Sequence, residues 1–255
     1  MNNLSFACVV LLAVSGMAPL FEETPTEPTS GSDGPSASRR AGQRPLEPFN
    51  DWVGTWRGVG QPKRGSTKGA WTEQTTWEWK IGRDTAGLQF AAKNGKLFQD
   101  GVLSFDAAEK KFRLKVTLAE GKSRLYTGEQ SDKGKLVLLH TNDDSGDLHR
   151  VTLHMLHADR MLLLAESKPG GQSNYARLAE IGYTRKGGSF ATSGDGYPKC
   201  IVTGGRGTMS VEYKEKTYYV CCTGCKQAFL DDPDEILADA AERSRKEATG
   251  KKKGE

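Results

Sequence analysis

Between Leu46 and Gly187 the chain is written in short bursts of alternating apolar and polar residues, each closed by a turn signal. WTEQTTWEWKI (71–81) is the longest burst, and LQFAAK (88–93) runs into Asn94-Gly95. KLFQDGVLSFD (96–106), KKFRLKVTLAE (110–120) and SRLYTGEQ (123–130) follow, the last two ending near Gly121 and Asp132-Lys133-Gly134. KLVLLHTN (135–142), LHRVTLHML (148–156), MLLLAESK (161–168) and ARLAEIGYTRKG (176–187) complete the series. A period of two sends successive side chains to opposite faces of a strand, so each burst has one face for a core and one for water. About ten such strands joined by hairpin turns predict an all-antiparallel sandwich or barrel. The connections leave no room for a long crossover, which favours an up-and-down barrel. The fold class expected is mainly β, with a small α+β appendage described below.

Trp56, Trp77, Trp79, Phe90 and Leu103 are the candidate interior. Trp77 and Trp79 lie two apart and share a face, which serves equally as core packing or as a wall for an apolar ligand. The opening Gly54-Thr55-Trp56-Arg57-Gly58 resembles the G-x-W signature of lipocalin-like barrels. Tyr183-Thr184-Arg185 resembles the closing strand of that superfamily, where a basic side chain covers the early Trp. The resemblance spans residues 47–187 and implies a calycin-type barrel with a ligand cavity. The competing reading is a barrel filled by its own side chains.

The flanks differ in texture. Residues 4–21 form the one long apolar stretch, with small residues Ser15, Gly16 and Ala18 behind it, as in a secretory signal peptide over residues 1–18. The run is short and broken by Gly16 and Pro19, so it predicts no stable membrane span once cleaved. Export to the periplasm or cell envelope, or secretion, is the localisation expected. Residues 22–46 are rich in Pro, Ser, Thr, Glu and Gly and read as a disordered linker. Residues 187–196 read as a second flexible joint, and residues 247–255 as a basic disordered tail.

The net charge of +4 comes largely from Lys246, Lys251, Lys252 and Lys253 at the end of the chain. No basic stripe with interleaved aromatics accompanies it, so no nucleic-acid partner is expected. No G-x-S-x-G and no H-E-x-x-H occurs, and Gly58 and Gly60 precede no helix, so hydrolase and phosphate-loop chemistry are not predicted. Of the four histidines, His149 and His154 differ in parity and face opposite sides of a strand, with His140 on the strand before and His157 in a turn. Such spacing does not readily converge on one ion.

Chemistry concentrates in residues 197–246. Beyond Cys8, in the leader, the cysteines are Cys200, Cys221, Cys222 and Cys225, in the pattern C-x20-C-x3-C with one spare. Thr208–Tyr213 and Thr217–Val220 read as a hairpin, Cys225–Leu230 as the start of a helix, and Asp232-Pro233 as the cap of a second helix. A helix N-terminus favours thiolates. Thiolates are soft ligands suited to Cu(I) or Zn(II); three satisfy trigonal Cu(I), while tetrahedral Zn(II) needs a fourth donor. In an oxidising compartment the same cysteines have three possible disulfide pairings, and a metal-free module with a Cys200–Cys225 or Cys200–Cys221 bridge stays open.

The hairpin, the thiol spacing, Gly224, Phe229 and the Asp-Pro pair resemble the YHS and TRASH family of small heavy-metal-binding modules over residues 197–240. That resemblance implies Cys200, Cys221 and Cys225 as metal ligands and assigns Cys222 none. Val202-Thr203-Gly204-Gly205 departs from it, a Pro-containing run being usual after the first Cys. The leading expectation is a non-catalytic exported protein for copper or zinc handling. The alternative is a carrier barrel for an apolar small molecule with a structural Cys module, and an enzyme ranks third.

Overall fold

In the computed structural model, which describes residues 37–131, 134–187 and 197–251, the alternating segments become ten strands. They are β1 (Gly54–Gln61), β2 (Trp71–Ile81), β3 (Ala86–Lys93), β4 (Phe98–Asp106), β5 (Lys111–Leu118), β6 (Ser123–Gln130), β7 (Leu136–Thr141), β8 (Leu148–His157), β9 (Arg160–Lys168) and β10 (Ala176–Arg185). Each pairs antiparallel with its sequence neighbour, and β1 pairs with β10, so the meander closes into a barrel without free edges. Asn94, in the expected Asn94-Gly95 turn, takes φ 63°, the left-handed conformation that such turns require.

Alternation decides what fills the lumen. On β2, Trp71, Glu73, Thr75, Trp77 and Trp79 are all buried, and the intervening residues are not. Trp56, Phe90 and Leu103 join them, so the five residues expected inside are inside. The space remaining beside Glu73, Trp77, Phe98 and Tyr183 is about 10 Å³, room for about one water. The buried Glu73 carboxylate accepts from Trp71 Nε1 (2.7 Å), the Tyr183 hydroxyl (2.6 Å) and Thr75 Oγ1 (3.3 Å). Burial, together with that carboxylate, pushes the Tyr183 hydroxyl well above the usual phenol range, so it stays a donor.

One end of the barrel is plugged. Helix α1 (Ala37–Gln43) leads into a 3-10 helix (Arg44–Trp52), whose Leu46, Phe49 and Trp52 are buried. Phe49 and Trp52 stack on each other at 4.5 Å and reach Phe112 and Trp77. Trp56 Nε1 donates to the Trp52 carbonyl at 2.8 Å. The Arg185 guanidinium lies 4.2 Å over the Trp56 ring, as the lipocalin resemblance implied. It also donates to the carbonyls of Val53 (2.8 Å), Asp51 and Ala158 (3.1 Å), so one side chain ties the closing strand to the plug.

The segment 37–46 differs from the linker expected over 22–46, whose first part lies outside the described residues. Its composition is poor in apolar residues, but its order is supplied from far along the chain. Arg39 pairs with Glu235 (2.8 Å) and Asp239 (3.3 Å), and Gln43 Nε2 donates to the Val202 carbonyl at 3.2 Å. The signal-peptide segment 1–18 and residues 188–196 of the second joint also lie outside the described residues. The expected basic tail from residue 247 begins as helix, because α3 (Pro233–Lys251) runs past Lys246. Among the described residues no helix is long and apolar enough to cross a membrane.

The cysteine module contains β11 (Met209–Tyr213), β12 (Lys216–Val220), α2 (Thr223–Asp231) and α3. Lys214 and Glu215, at φ 48° and 61°, make a two-residue hairpin turn. Asp232 accepts from the Glu235 N–H at 3.0 Å, the cap expected of it, with Pro233 in the first turn. Module and barrel belong to one compact unit, Gly34–Glu255.

Arg185→Ala removes a stacked cation and takes a donor from two half-buried carbonyls and one exposed one, which should lower unfolding free energy by about 1–3 kcal/mol. Urea titration of that variant checks this. Arg185→Lys should recover little, since an ammonium cannot stack and fork at once.

Candidate functional site

The first sulfur sits on a tight loop. Cys200 N–H donates to the Gly205 carbonyl (2.6 Å) and Gly204 N–H returns to the Cys200 carbonyl (2.8 Å), with Gly204 at φ +75°. Thus Val202-Thr203-Gly204-Gly205, the stretch that departs from the family pattern, folds as a compact turn. Side chains from both flanks hold its carbonyls: Asn50 Nδ2 binds Thr203 O (2.9 Å), and Arg243 binds Ile201 O (2.8 Å) and Val202 O (3.1 Å).

Cys221 leaves β12, Cys222 is the N-cap of α2 in extended conformation, and Cys225 lies one turn into that helix. One helical turn brings Cys225 Sγ to 3.5 Å from Cys221 Sγ. The sulfurs of Cys200, Cys221 and Cys225 all lie within 4.8 Å of one another. The three residues expected to converge therefore do so, and all are buried. The four cysteines are free thiols. Cys222 Sγ is closer to the group than its place in sequence implied, 3.8 Å from Cys221 Sγ, and it accepts the Trp79 backbone N–H at 3.3 Å.

Contact with the Cys221 thiol, and next with that of Cys225, draws Cys200 and Cys222 below the usual thiol range. Cys221 is pushed up because its proton is held against Cys200. Burial first, and hydrogen bonding with the neighbouring sulfurs of Cys200, Cys221 and Cys222 next, push Cys225 up. Thr203 Oγ1, 3.8 Å from Cys221 Sγ, is a further polar neighbour.

The cluster is pressed against the barrel. A Cβ on Gly224 would lie 1.7 Å from the Trp79 carbonyl oxygen, so α2 can dock on β2 only where that side chain is absent. Thr223 Oγ1 donates to Glu78 at 3.0 Å, and Trp79 Nε1 donates to Asn50 Oδ1 at 3.0 Å, the same Asn50 that holds the Cys200 loop. Phe229, fully buried, packs on Tyr213 and Tyr218 at 5.9 and 5.4 Å and fixes the other side of α2.

Sequence reasoning missed Thr203, Asn50 and the Trp79 N–H, none of which carries a motif. It also missed that His140 and His149 are register partners, with rings 6.0 Å apart, and that the His140 ring lies 5.8 Å from that of Tyr126. The hairpin turn at Asp143–Asp147 held that signal, since strands folded symmetrically about it bring 140 opposite 149. Burial, then the charges of Arg124 and His140, lowers the affinity of His149 for a proton. His154 points to the other face, as its parity required.

Gly224→Ala should lift α2 from β2 and expose the thiols. Reaction with an aromatic disulfide reagent should then accelerate at least about tenfold, whereas unaltered kinetics would mean that the helix does not depend on this contact.

No protein-family model matches the chain, and no curated protein matches it by sequence. The resemblance to YHS and TRASH modules therefore rests on residues 197–240 alone. Among solved structures, the chain is similar to an S-type phycobiliprotein lyase, CPES, from Guillardia theta. The two share 12% identity over 56% of this chain and 94% of that one, with a TM-score of 0.35.

Proposed function

We propose that this chain is a non-catalytic soft-metal-binding protein of the cell envelope that holds Cu(I) or Zn(II) on Cys200, Cys221 and Cys225. The observation that carries the reading is the convergence of three buried sulfurs within 4.8 Å. Metal–sulfur bonds of about 2.3 Å put sulfurs roughly 3.8–4.0 Å apart in tetrahedral or trigonal geometry, a spacing the cluster meets with little movement. Thiols lose their protons on coordination, so binding of a soft ion to this cluster releases protons. Three thiolates suit Cu(I); for Zn(II), Cys222 is the nearest further sulfur, 3.8 Å from Cys221. The envelope location rests on the apolar run at 4–21.

Protein purified under reducing conditions should retain about one Cu(I) or Zn(II) per chain, measured by elemental analysis beside a thiol count. Cys225→Ser should lower the affinity at least about a hundredfold. Metal content unchanged by that substitution would remove Cys225 from the site. A count of two free thiols without metal would instead identify a disulfide-bridged module.

A second reading, a barrel that binds an apolar small molecule, is favoured by one observation. Trp77 Nε1 is buried in the lumen without a hydrogen-bond partner, beside the Glu73–Tyr183 pair. A ligand carbonyl would satisfy that donor, at the cost of moving side chains to widen a space of about 10 Å³. Lumen binding of this kind predicts that an apolar fluorescent probe binds the full chain and quenches tryptophan emission. Trp77→Phe should weaken that binding about three- to tenfold, and a probe that never binds would exclude a ligand-carrying lumen.

A further inference from the structure

The thiol cluster is not sealed equally on all sides. Cys225 and Cys200 are 0% and 1% exposed, but Cys221 is 8% exposed. Cys221 also lines a pocket of about 290 Å³ between the closing strands of the barrel and the Cys200 loop, and Cys200, Cys222 and Cys225 do not. Around it stand Arg185, Lys186 and Arg206, with Asp51 the single carboxylate among the described lining residues.

These cations are not equally committed. Arg185 is occupied by three carbonyls and by Asp159 at 3.3 Å. Lys186 Nζ donates to the neutral Gln74 Oε1 at 3.3 Å and makes no ion pair among the described residues. Arg206 lies 4.1 Å over the Tyr197 ring. Its positive charge bears on Arg185, which burial and then Arg206 hold below the usual guanidinium range. Two cations crowded in this way leave the pocket positive, and a positive concavity raises the arrival rate of anions.

We propose that this pocket is the entry port of the site, and that it receives the soft metal as an anionic small-molecule thiolate complex bearing carboxylates. The proposal rests on the metal-binding reading of Cys200, Cys221 and Cys225. The carboxylates of the carrier meet Lys186 and Arg206, which brings its metal against Cys221 Sγ. Exchange is a ligand substitution: the metal–sulfur bond of the carrier breaks as a bond to Cys221 Sγ forms. The Cys221 proton passes to the departing carrier thiolate, and no atom changes oxidation state. The ion then moves inward to Cys225, whose sulfur is 3.5 Å from that of Cys221, and to Cys200, and the protons these sulfurs carry pass to water as the bonds form. A free hydrated cation gains nothing from this entrance, because the pocket repels it.

The test compares two Cu(I) donors on the full reduced chain: the anionic mercaptosuccinate complex and the cationic acetonitrile complex. Copper per chain is measured after quenching with excess chelator at set times. In the chain itself, transfer from the anionic donor should slow as salt is added. Arg206→Gln with Lys186→Gln should slow that transfer about tenfold or more at low salt, and should not slow transfer from the cationic donor. Each single substitution should give part of the effect, which separates charge from any loss of folding. Equal slowing with both donors, or no change with either, would overturn the port. If the unsubstituted chain keeps no copper from either donor, and elemental analysis finds no Zn(II) on it, the metal-binding reading itself fails and the port with it.

Discussion

The arrangement of the thiols depends on a backbone contact with no side chain in it. Gly224 lets the start of α2 lie directly on the Trp79 carbonyl of β2. The neighbouring Trp79 N–H reaches Cys222 Sγ, and Thr223 reaches Glu78. A short hairpin with two helices buries too little to hold four thiols rigidly by itself. Placed on a closed barrel, it borrows the stiffness of a sheet that has no edge to fray. Asn50 completes the connection, because it touches both the Trp79 indole and the Thr203 carbonyl behind Cys200. The two halves of the sulfur set, one from a loop and one from a helix start, are therefore referred to the same few atoms of β2 and the plug.

The barrel shows how a fold can be regular outside and specific inside. Its strands alternate cleanly, yet the inner face of β2 places a carboxylate among four aromatic or polar side chains. Glu73 is tolerated because three donors surround it, and those donors are themselves fixed by the register of β2 with β1 and of β1 with β10. A buried acceptor that loses its donor costs about 1–3 kcal/mol, so each of the three hydrogen bonds offsets part of the cost of placing Glu73 inside. This polar knot adds to the apolar packing that fixes the register, since a slip of β2 by one residue would turn Glu73 outward and orphan Tyr183.

Much of this was legible from the residues. Period-two alternation and turn chemistry such as Asn94-Gly95 located the strands, because both act over a few neighbours. The Trp56–Arg185 stack was reachable through resemblance, and the convergence of Cys200, Cys221 and Cys225 through spacing. The helices at Ala37–Trp52 were not legible. Their order comes from Glu235, Asp239 and Val202, which lie well over a hundred residues away. The Trp79–Cys222 contact, 143 residues apart in sequence, fails the same way. Composition judges a segment in isolation, and these segments are ordered only by what they meet. Cys222 was given no place among the ligands by the resemblance; as the cap of α2 its sulfur lies 3.8 Å from that of Cys221.

Helix α1 precedes the barrel and α3 ends the described chain, yet the two lie side by side. Arg39 and Arg40 both bind Asp239, and Arg39 also binds Glu235. The polypeptide thus forms a belt that leaves the barrel pole, circles ten strands and buckles where it began. A buckle of this kind makes the thiol end of the molecule sensitive to events before residue 54. Releasing α1 alone would loosen α3, and through Arg243 the Cys200 loop, while the strand-to-strand ladder of the barrel stays intact.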